Sequence, residues 1–186
     1  MNEAWLIRHA ETAWSRDHRH TGRTDIPLTD AGRAAAAALH DVLAGRDWAK
    51  VLTSPLSRAR ETCGLSGLGD RAEDRPALLE WDYGDYEGIT TAEIRQERPD
   101  WYLWRDGCPG GESPEQVAAR TDELVAELAE TEGDVALFAH GHVLRMLAAR
   151  WIELAPEGGG RLALSTGTIS VLGFEREVRV IWRWNR

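Results

Sequence analysis

Three short strand-like runs, residues 4–7, 50–53 and 135–139, alternate along the chain with segments of helical character. Residues 29–44 read as a helix with Thr29 as N-cap, an alanine block at 34–38, an apolar stripe of Leu39, Val42 and Leu43, and Gly45 as the stop. Residues 55–62 read as a helix with Pro55 in its first turn, and residues 90–98 as another, stopped by Pro99. Ser113, Pro114 and Gln116 form a capping box at the head of a helix whose apolar residues recur at helical spacing up to Gly133. A further helix is predicted over 143–153. Two late runs, 168–174 and 178–184, read as strands joined by Glu175-Arg176-Glu177. Strands alternating with helices predict an α/β sandwich built on a mostly parallel sheet, into which the final hairpin places an antiparallel strand. With no repeat, low-complexity tract or linker, the sequence predicts one domain over residues 1–186. At this length a globular chain buries roughly 70% of its unfolded surface, so no disulfide or metal staple is required.

Charge narrows the function classes. The net charge is −9, which disfavours nucleic acid as a partner, because a phosphate backbone rewards basic patches. A small anion remains accessible if a few cations are focused into one pocket. Lys50 is the only lysine among 22 basic residues. No apolar run approaches the length of a membrane span, and the first residues show no basic leader followed by an apolar stretch, so a cytoplasmic location off the membrane is expected. Cys63 and Cys108 are isolated, form no cluster with metal-ligand spacing, and read as free thiols, with a disulfide between them left open.

Four separated segments carry chemistry: 6–12 with Arg8 and His9, 53–62 with Arg58, 79–88 with Glu80, and 138–142 with His140, Gly141 and His142. Three of them sit just after predicted strands, where open α/β sheets place their sites. Singly each is weak, since a strand-end histidine or a helix-start arginine is usually structural. Jointly they make a consistent apparatus for attacking a phosphate ester. Arg8 and Arg58 neutralise the dianion with forked donors. A neutral His9 attacks phosphorus, its other ring nitrogen held by an acceptor such as a backbone carbonyl. Glu80 supplies the proton that a leaving alkoxide needs. His140, as an imidazolium, steadies the equatorial oxygens, and the Gly141 N–H adds a donor at a helix start. None of these roles requires a metal or other cofactor.

The same residues carry a resemblance. Arg8-His9-Ala10-Glu11-Thr12, Ser54-Pro55-Leu56 with Arg58-Ala59, Leu79-Glu80 with Gly84 and Glu87-Gly88, and Ala139-His140-Gly141 resemble, in order, the histidine phosphatase superfamily, the phosphoglycerate mutase-like group. The likeness runs from Leu6 to about Ile152. It implies a three-layer α/β/α sandwich, a phosphohistidine mechanism with the roles just given, and a small phosphorylated metabolite as substrate. The stretches 12–15, 21–29, 80–88, 104–108 and 138–142 resemble the branch containing sedoheptulose-1,7-bisphosphatase and broad-specificity bacterial acid phosphatases. By the same resemblance Tyr83 belongs in the pocket, and Ser15, Thr21, Gly22, Arg105 and His142 are substrate-side candidates. Two positions depart from the superfamily pattern. Ala10 replaces the usual glycine, which is tolerable only at negative φ. Ser15 replaces the usual asparagine and reaches less far. His18, His20 and His40 read as surface residues without a role. A homodimer is left open.

Three other functions compete with a small-molecule phosphatase. A phosphoglycerate mutase needs extra cations for a substrate carboxylate, and here the middle of the chain offers Arg95, Arg98 and Arg105, with Asp106 beside the last. A non-catalytic phospho-ligand binder would be expected to have lost His9 or Glu80. A protein phosphatase needs an open site, which the aromatic stretch from Trp81 to Trp104 would instead cover. Core packing is the competing explanation for Trp101 and Trp104.

Overall fold

Strand β1 (Ala4–Arg8) is apolar on both faces: Ala4 and Leu6 point to one side, Trp5 and Ile7 to the other, and all four are buried. Strand β4 (Asp134–Ala139) repeats the pattern with Val135, Leu137 and Ala139 against Ala136 and Phe138. Strands of this kind belong inside a sheet covered by helices on both sides. The computed structural model describes residues 3–186. In it β1 pairs in parallel with β4, β4 with β2 (Trp48–Thr53), and β2 with β3 (Ala72–Asp74). Strand β5 (Ile169–Glu175) runs antiparallel to β1, and β6 (Val178–Arg183) antiparallel to β5, giving the order β3-β2-β4-β1-β5-β6. The expected mostly parallel sheet is present, and the hairpin forms its antiparallel edge.

Helices form the outer layers. One face packs under α2 (Asp30–Ala38), α3 (His40–Leu43) and α4 (Ser57–Leu65) through Leu39, Leu43 and Cys63. The other packs under α7 (Pro114–Glu130) and α8 (Gly141–Trp151) through Leu124, Leu128, Leu144 and Leu147. The capping box at Ser113 and Gln116 starts α7 as the sequence predicts, with Pro114 at the first position. The stretch between β3 and α7, which contains α5 (Thr91–Glu97) and α6 (Leu103–Asp106), gathers Trp81, Tyr83, Ile94, Trp101 and Trp104 into a separate aromatic cluster beside α7 and α8. Trp101 and Trp104 are therefore core residues. Cys63 and Cys108 are free and buried in different clusters, which closes the disulfide alternative. Among the described residues no helix is long and apolar enough to cross a membrane.

Boundaries differ where local geometry intervenes. The helix predicted over 29–44 is two helices, because at Leu39 the N–H bonds to Ala36 O three residues back and tightens the turn. The helix predicted from Pro55 begins at Ser57, since Leu56 is extended. α1 (Ala13–Arg16), β3 and α6 have four residues or fewer and escaped the periodicity.

The parallel pairing of β2, β4 and β1 brings their carboxyl ends side by side. Ser54, His140 and His9, the residues that follow those ends, come together at one edge of the sheet. The loop after His9 is fixed against α2: Thr29 N–H donates to Glu11 O at 2.9 Å, and Thr29 Oγ1 caps α2 by accepting from Gly32 N–H at 3.0 Å. A Cβ at Gly32 would collide with the Glu11 carbonyl oxygen. At an unobstructed helix position Gly→Ala stabilises by about 1 kcal/mol. Here Gly32→Ala is expected to lower the unfolding free energy by ~1–3 kcal/mol, read from urea unfolding midpoints. A more stable variant would show that the helix does not press on this loop.

Candidate active site

His9 leaves β1 with its backbone pinned from two sides: its N–H donates to Ala139 O at 2.9 Å, and its carbonyl accepts from Gly167 N–H at 3.1 Å. The ring Nδ1 lies 2.7 Å from Ala10 O. A carbonyl only accepts, so Nδ1 carries the proton and Nε2 keeps its lone pair. Burial foremost, then the Arg58 and Arg8 guanidiniums, lower the His9 pKa well below the ordinary imidazole value, so the ring is neutral. Ala10 has no positive φ and packs its methyl against Leu28 and Ala36, so the departure from glycine is accommodated.

Arg8 ends β1 and donates from Nη1 to Leu164 O. Its Nε is buried and has no hydrogen-bond partner among the described residues. Gly141 lies against this guanidinium; a Cβ there would stand 3.2 Å from Arg8 Cζ. Arg58, in the first turn of α4, is fully buried. Its Nη2 donates to Thr21 O (3.1 Å) and Gly22 O (2.9 Å), its Nη1 to Thr24 O (3.0 Å), and its Nε to His140 Nδ1 (3.1 Å).

That last bond corrects one expectation. His140 Nδ1 accepts from Arg58, so it holds no proton, and Nε2 at 2.7 Å from Ser54 Oγ carries the only one. Burial, with Arg58, His9 and Arg8 nearby, pushes its pKa well below the ordinary value. His140 is a neutral imidazole, not an imidazolium. Its ring centroid lies 5.1 Å from that of His9.

Glu80 is buried at the head of α8. Its Oε1 accepts from Trp81 N–H and Val143 N–H, both at 2.9 Å, and its Oε2 from His142 N–H at 3.0 Å. A helix N-terminus leaves such donors free, and a carboxylate satisfies them. From below, Arg120 of α7 donates to the carbonyls of Ala77, Leu79 and Glu80 and pairs with Glu112 at 2.8 Å, which holds the loop.

Arg8, His9, Ser15, Thr21, Glu80, Tyr83 and His142 line a cavity of about 220 Å³ together with His18, Arg19, His20 and Thr91. Ser15 spends its hydroxyl proton on Thr12 O (3.0 Å) within the capping box of α1. Gly22 sits behind the cavity: its N–H meets Glu87 and its carbonyl meets Arg58. Arg105 is not brought to the site. It is exposed on α6, tied to Asp106 and to Asp100 O. His20 corrects the surface reading. It is 9% exposed, its Nε2 meets Thr91 Oγ1 at 3.2 Å, its ring rests on Tyr83, and burial lowers its pKa to about 4. The charged run 16–19 around it masked this, and the long-range bridge between Arg19 and Thr90 that folds it inward has no sequence signature. Among the described residues no group of three or more His, Cys, Asp or Glu side chains is arranged to hold a metal ion.

Similarity to known proteins extends over nearly the whole chain. The family described as the histidine phosphatase superfamily (branch 1) matches residues 4–186. An acid phosphatase of Mycobacterium tuberculosis is 44% identical over 178 residues, covering 94% of this chain and 87% of that protein. Sedoheptulose 1,7-bisphosphatase of Saccharomyces cerevisiae is 37% identical over 182 residues, covering 80% of this chain and 67% of its own length. The solved structure of a Mycobacterium tuberculosis open-reading-frame product superposes with a TM-score of 0.94 at 41% identity, covering 99% of this chain and 97% of the other.

The buried neutral histidines make folding sensitive to acid. Unfolded, each binds a proton as the pH falls below about 6.5, whereas in the fold His9, His140 and His20 resist it. The unfolded state therefore holds more protons in that window, and stability falls with pH by up to about 1.4 kcal/mol per unit for each group. Urea midpoints should drop between pH 7 and pH 5, and His20→Asn should shallow the slope. A flat profile would mean that the rings are protonated in the fold.

Proposed function

The chain belongs to the histidine phosphatase superfamily, and on that premise we propose that it hydrolyses small phosphate monoesters, sugar phosphates or similar, through a phosphohistidine on His9. The single observation that carries this reading is the His9 Nδ1–Ala10 O bond, which leaves Nε2 as a free lone pair beside two guanidiniums. Nε2 attacks phosphorus while the bond to the ester oxygen breaks, and Glu80 gives that oxygen its proton. Water then attacks the phosphohistidine; Glu80 takes a proton from it, the N–P bond breaks, and phosphate leaves. Of the two Glu80 oxygens, Oε2 accepts one backbone N–H where Oε1 accepts two, so Oε2 has the spare capacity to carry the proton. Arg8, whose buried Nε has no partner among the described residues, meets the dianion; Arg58, buried behind the cavity with four of its five N–H donors spent on protein acceptors, has one Nη1 proton left to offer it; the Gly141 N–H adds a donor, and His140 serves as a neutral group that orients Arg58 and Ser54.

The cavity suits a phosphorylated metabolite. A mutase would need cations for a substrate carboxylate, yet Arg95 donates to Trp101 O, Arg98 to the Tyr86 hydroxyl, and Arg105 to Asp106, and none of the three lines the cavity around His9; Arg19, which does line it, donates from Nη1 to Gly88 O. This favours hydrolysis over mutase chemistry. A pure binder would have no use for a nucleophile and an acid lining one cavity. The whole chain works as one phosphatase domain on this reading.

Two experiments test it. Glu80→Gln should slow hydrolysis of alkyl phosphates by about a hundredfold or more, because an alkoxide needs the proton. The same variant should lose far less on p-nitrophenyl phosphate, whose leaving group departs unaided, while His9→Ala abolishes turnover of both. Equal losses for Glu80→Gln on the two substrates would move the acid to Asp82 or Asp85. Because guanidiniums and a backbone N–H do the charge work, turnover should persist in excess chelator and be blocked by orthovanadate. Loss on chelation, restored by magnesium or zinc, would overturn that assignment.

A further inference from the structure

Beyond the phosphate end, the cavity wall carries three uncharged hydrogen-bonding groups, His20, Tyr83 and His142, and the Arg19 guanidinium, which donates from Nη1 to Gly88 O at 2.7 Å. Tyr83 is 2% exposed, and its hydroxyl makes one hydrogen bond, at 2.6 Å, to His142 Nδ1. If Nδ1 held the proton, the phenol O–H would be left buried without an acceptor, a costly state. The Tyr83 hydroxyl is therefore the donor, and the proton of His142 sits on Nε2. Burial acts in the same sense on both partners: it raises the Tyr83 pKa well above and lowers the His142 pKa well below their ordinary values, so neither is ionised. The ring is confined by Tyr83 at 5.8 Å and Trp104 at 5.6 Å between centroids. Its Nε2 has no protein partner among the described residues, and the residue lines the cavity with its side chain 24% exposed.

We propose that Tyr83 and His142 form a specificity-determining pair, in which the Tyr83 hydroxyl holds the His142 ring as the tautomer that points Nε2–H into the cavity to bind a neutral hydroxyl on the alcohol part of the ester. This rests on the phosphatase reading. The leaving oxygen must reach Glu80, and His142 Nδ1 lies 4.0 Å from Glu80 Oε2, so the imidazole faces the first carbons of the leaving alcohol rather than its far end. A neutral N–H rewards a hydroxyl there and forms no salt bridge with a carboxylate. The substrate class is thus a phosphate of a polyhydroxylated alcohol with a hydroxyl next to the ester carbon. Tyr83 is a positioning residue that acts through His142.

The test pairs glycerol 1-phosphate with propyl phosphate, which leave as similar primary alkoxides but differ in the neighbouring hydroxyl. Tyr83→Phe and His142→Gln should each reduce kcat/KM for glycerol 1-phosphate by about tenfold, the scale of one hydrogen bond, and lose much less on propyl phosphate. Tyr83→Phe added to His142→Gln should cost nothing more, because the tyrosine acts only through the ring. Nitrogen-15 NMR of labelled histidine should show His142 protonated on Nε2 in the wild type and a mixture of tautomers in Tyr83→Phe. Equal losses on both substrates, additive losses in the double variant, or a proton on Nδ1 would each overturn the proposal. If the wild type hydrolyses neither ester, the phosphatase reading fails, and the NMR arm still decides the tautomer.

Discussion

The site depends on one buried guanidinium. Arg58 has no solvent exposure, and a charge taken out of water is tolerated only when its donors are met. Three backbone carbonyls of the 21–24 stretch and one ring nitrogen meet four of its five. The same stretch is gripped from its other side, where the Glu87 carboxylate accepts from Gly22 N–H and Thr24 N–H at 2.9 and 3.0 Å. Arg58 thereby sets the path of the chain at the cavity wall, fixes the His140 tautomer, and through that ring orients Ser54 at the end of β2. Removing it would strand several polar groups in the interior as well as a phosphate donor.

The second ordering principle is the separation of charge from neutrality within one cavity. In a chain of net charge −9, cations are gathered near the strand ends, and burial first, then Arg58 and Arg8, keeps His9 unprotonated. The same positive field would repel a protonated His140, and that residue is neutral too. On the proposed mechanism one arrangement serves both the nucleophile and the receptor for a dianion: the field that would attract the ester also helps preserve the lone pair that would attack it. Further out, His20, Tyr83 and His142 present uncharged groups.

Much of this was legible in the residues. The central strands announced themselves by apolar runs, because burial on both faces leaves no room for polar alternation. Helix α7 was marked by its capping box, a local hydrogen-bond pattern that survives any tertiary context. His9, Arg58 and His140 were legible as candidates because each sits at a strand end or helix start, where an α/β sheet collects function; Glu80, in the loop beyond Leu78, was singled out by the need for an acid. What escaped depends on contacts distant in the chain. The protonation state of His140 follows from Arg58, 82 residues away, and the inward turn of His20 from pairing between Arg19 and Thr90. Arg105 was misplaced because neighbouring Asp106 captures its guanidinium on the outer surface.

The strand that leads into His9 is the first along the chain, yet both of its neighbours come late. Ala4 stands opposite Val135 on one side and Leu172 on the other. Gly167 supplies the N–H that holds the His9 carbonyl, and Leu164 the carbonyl that receives Arg8. During synthesis β1 emerges well before either neighbour and stays unpaired until residues 134–139 on one side, and 169–175 on the other, have followed it. Loop-closure entropy of that size makes the ordering of His9 a late, non-local event rather than part of an early local nucleus. Appearance of turnover in a refolding or translation time course would thus mark completion of the sheet, lagging behind any signal that reports helices α7 and α8 alone.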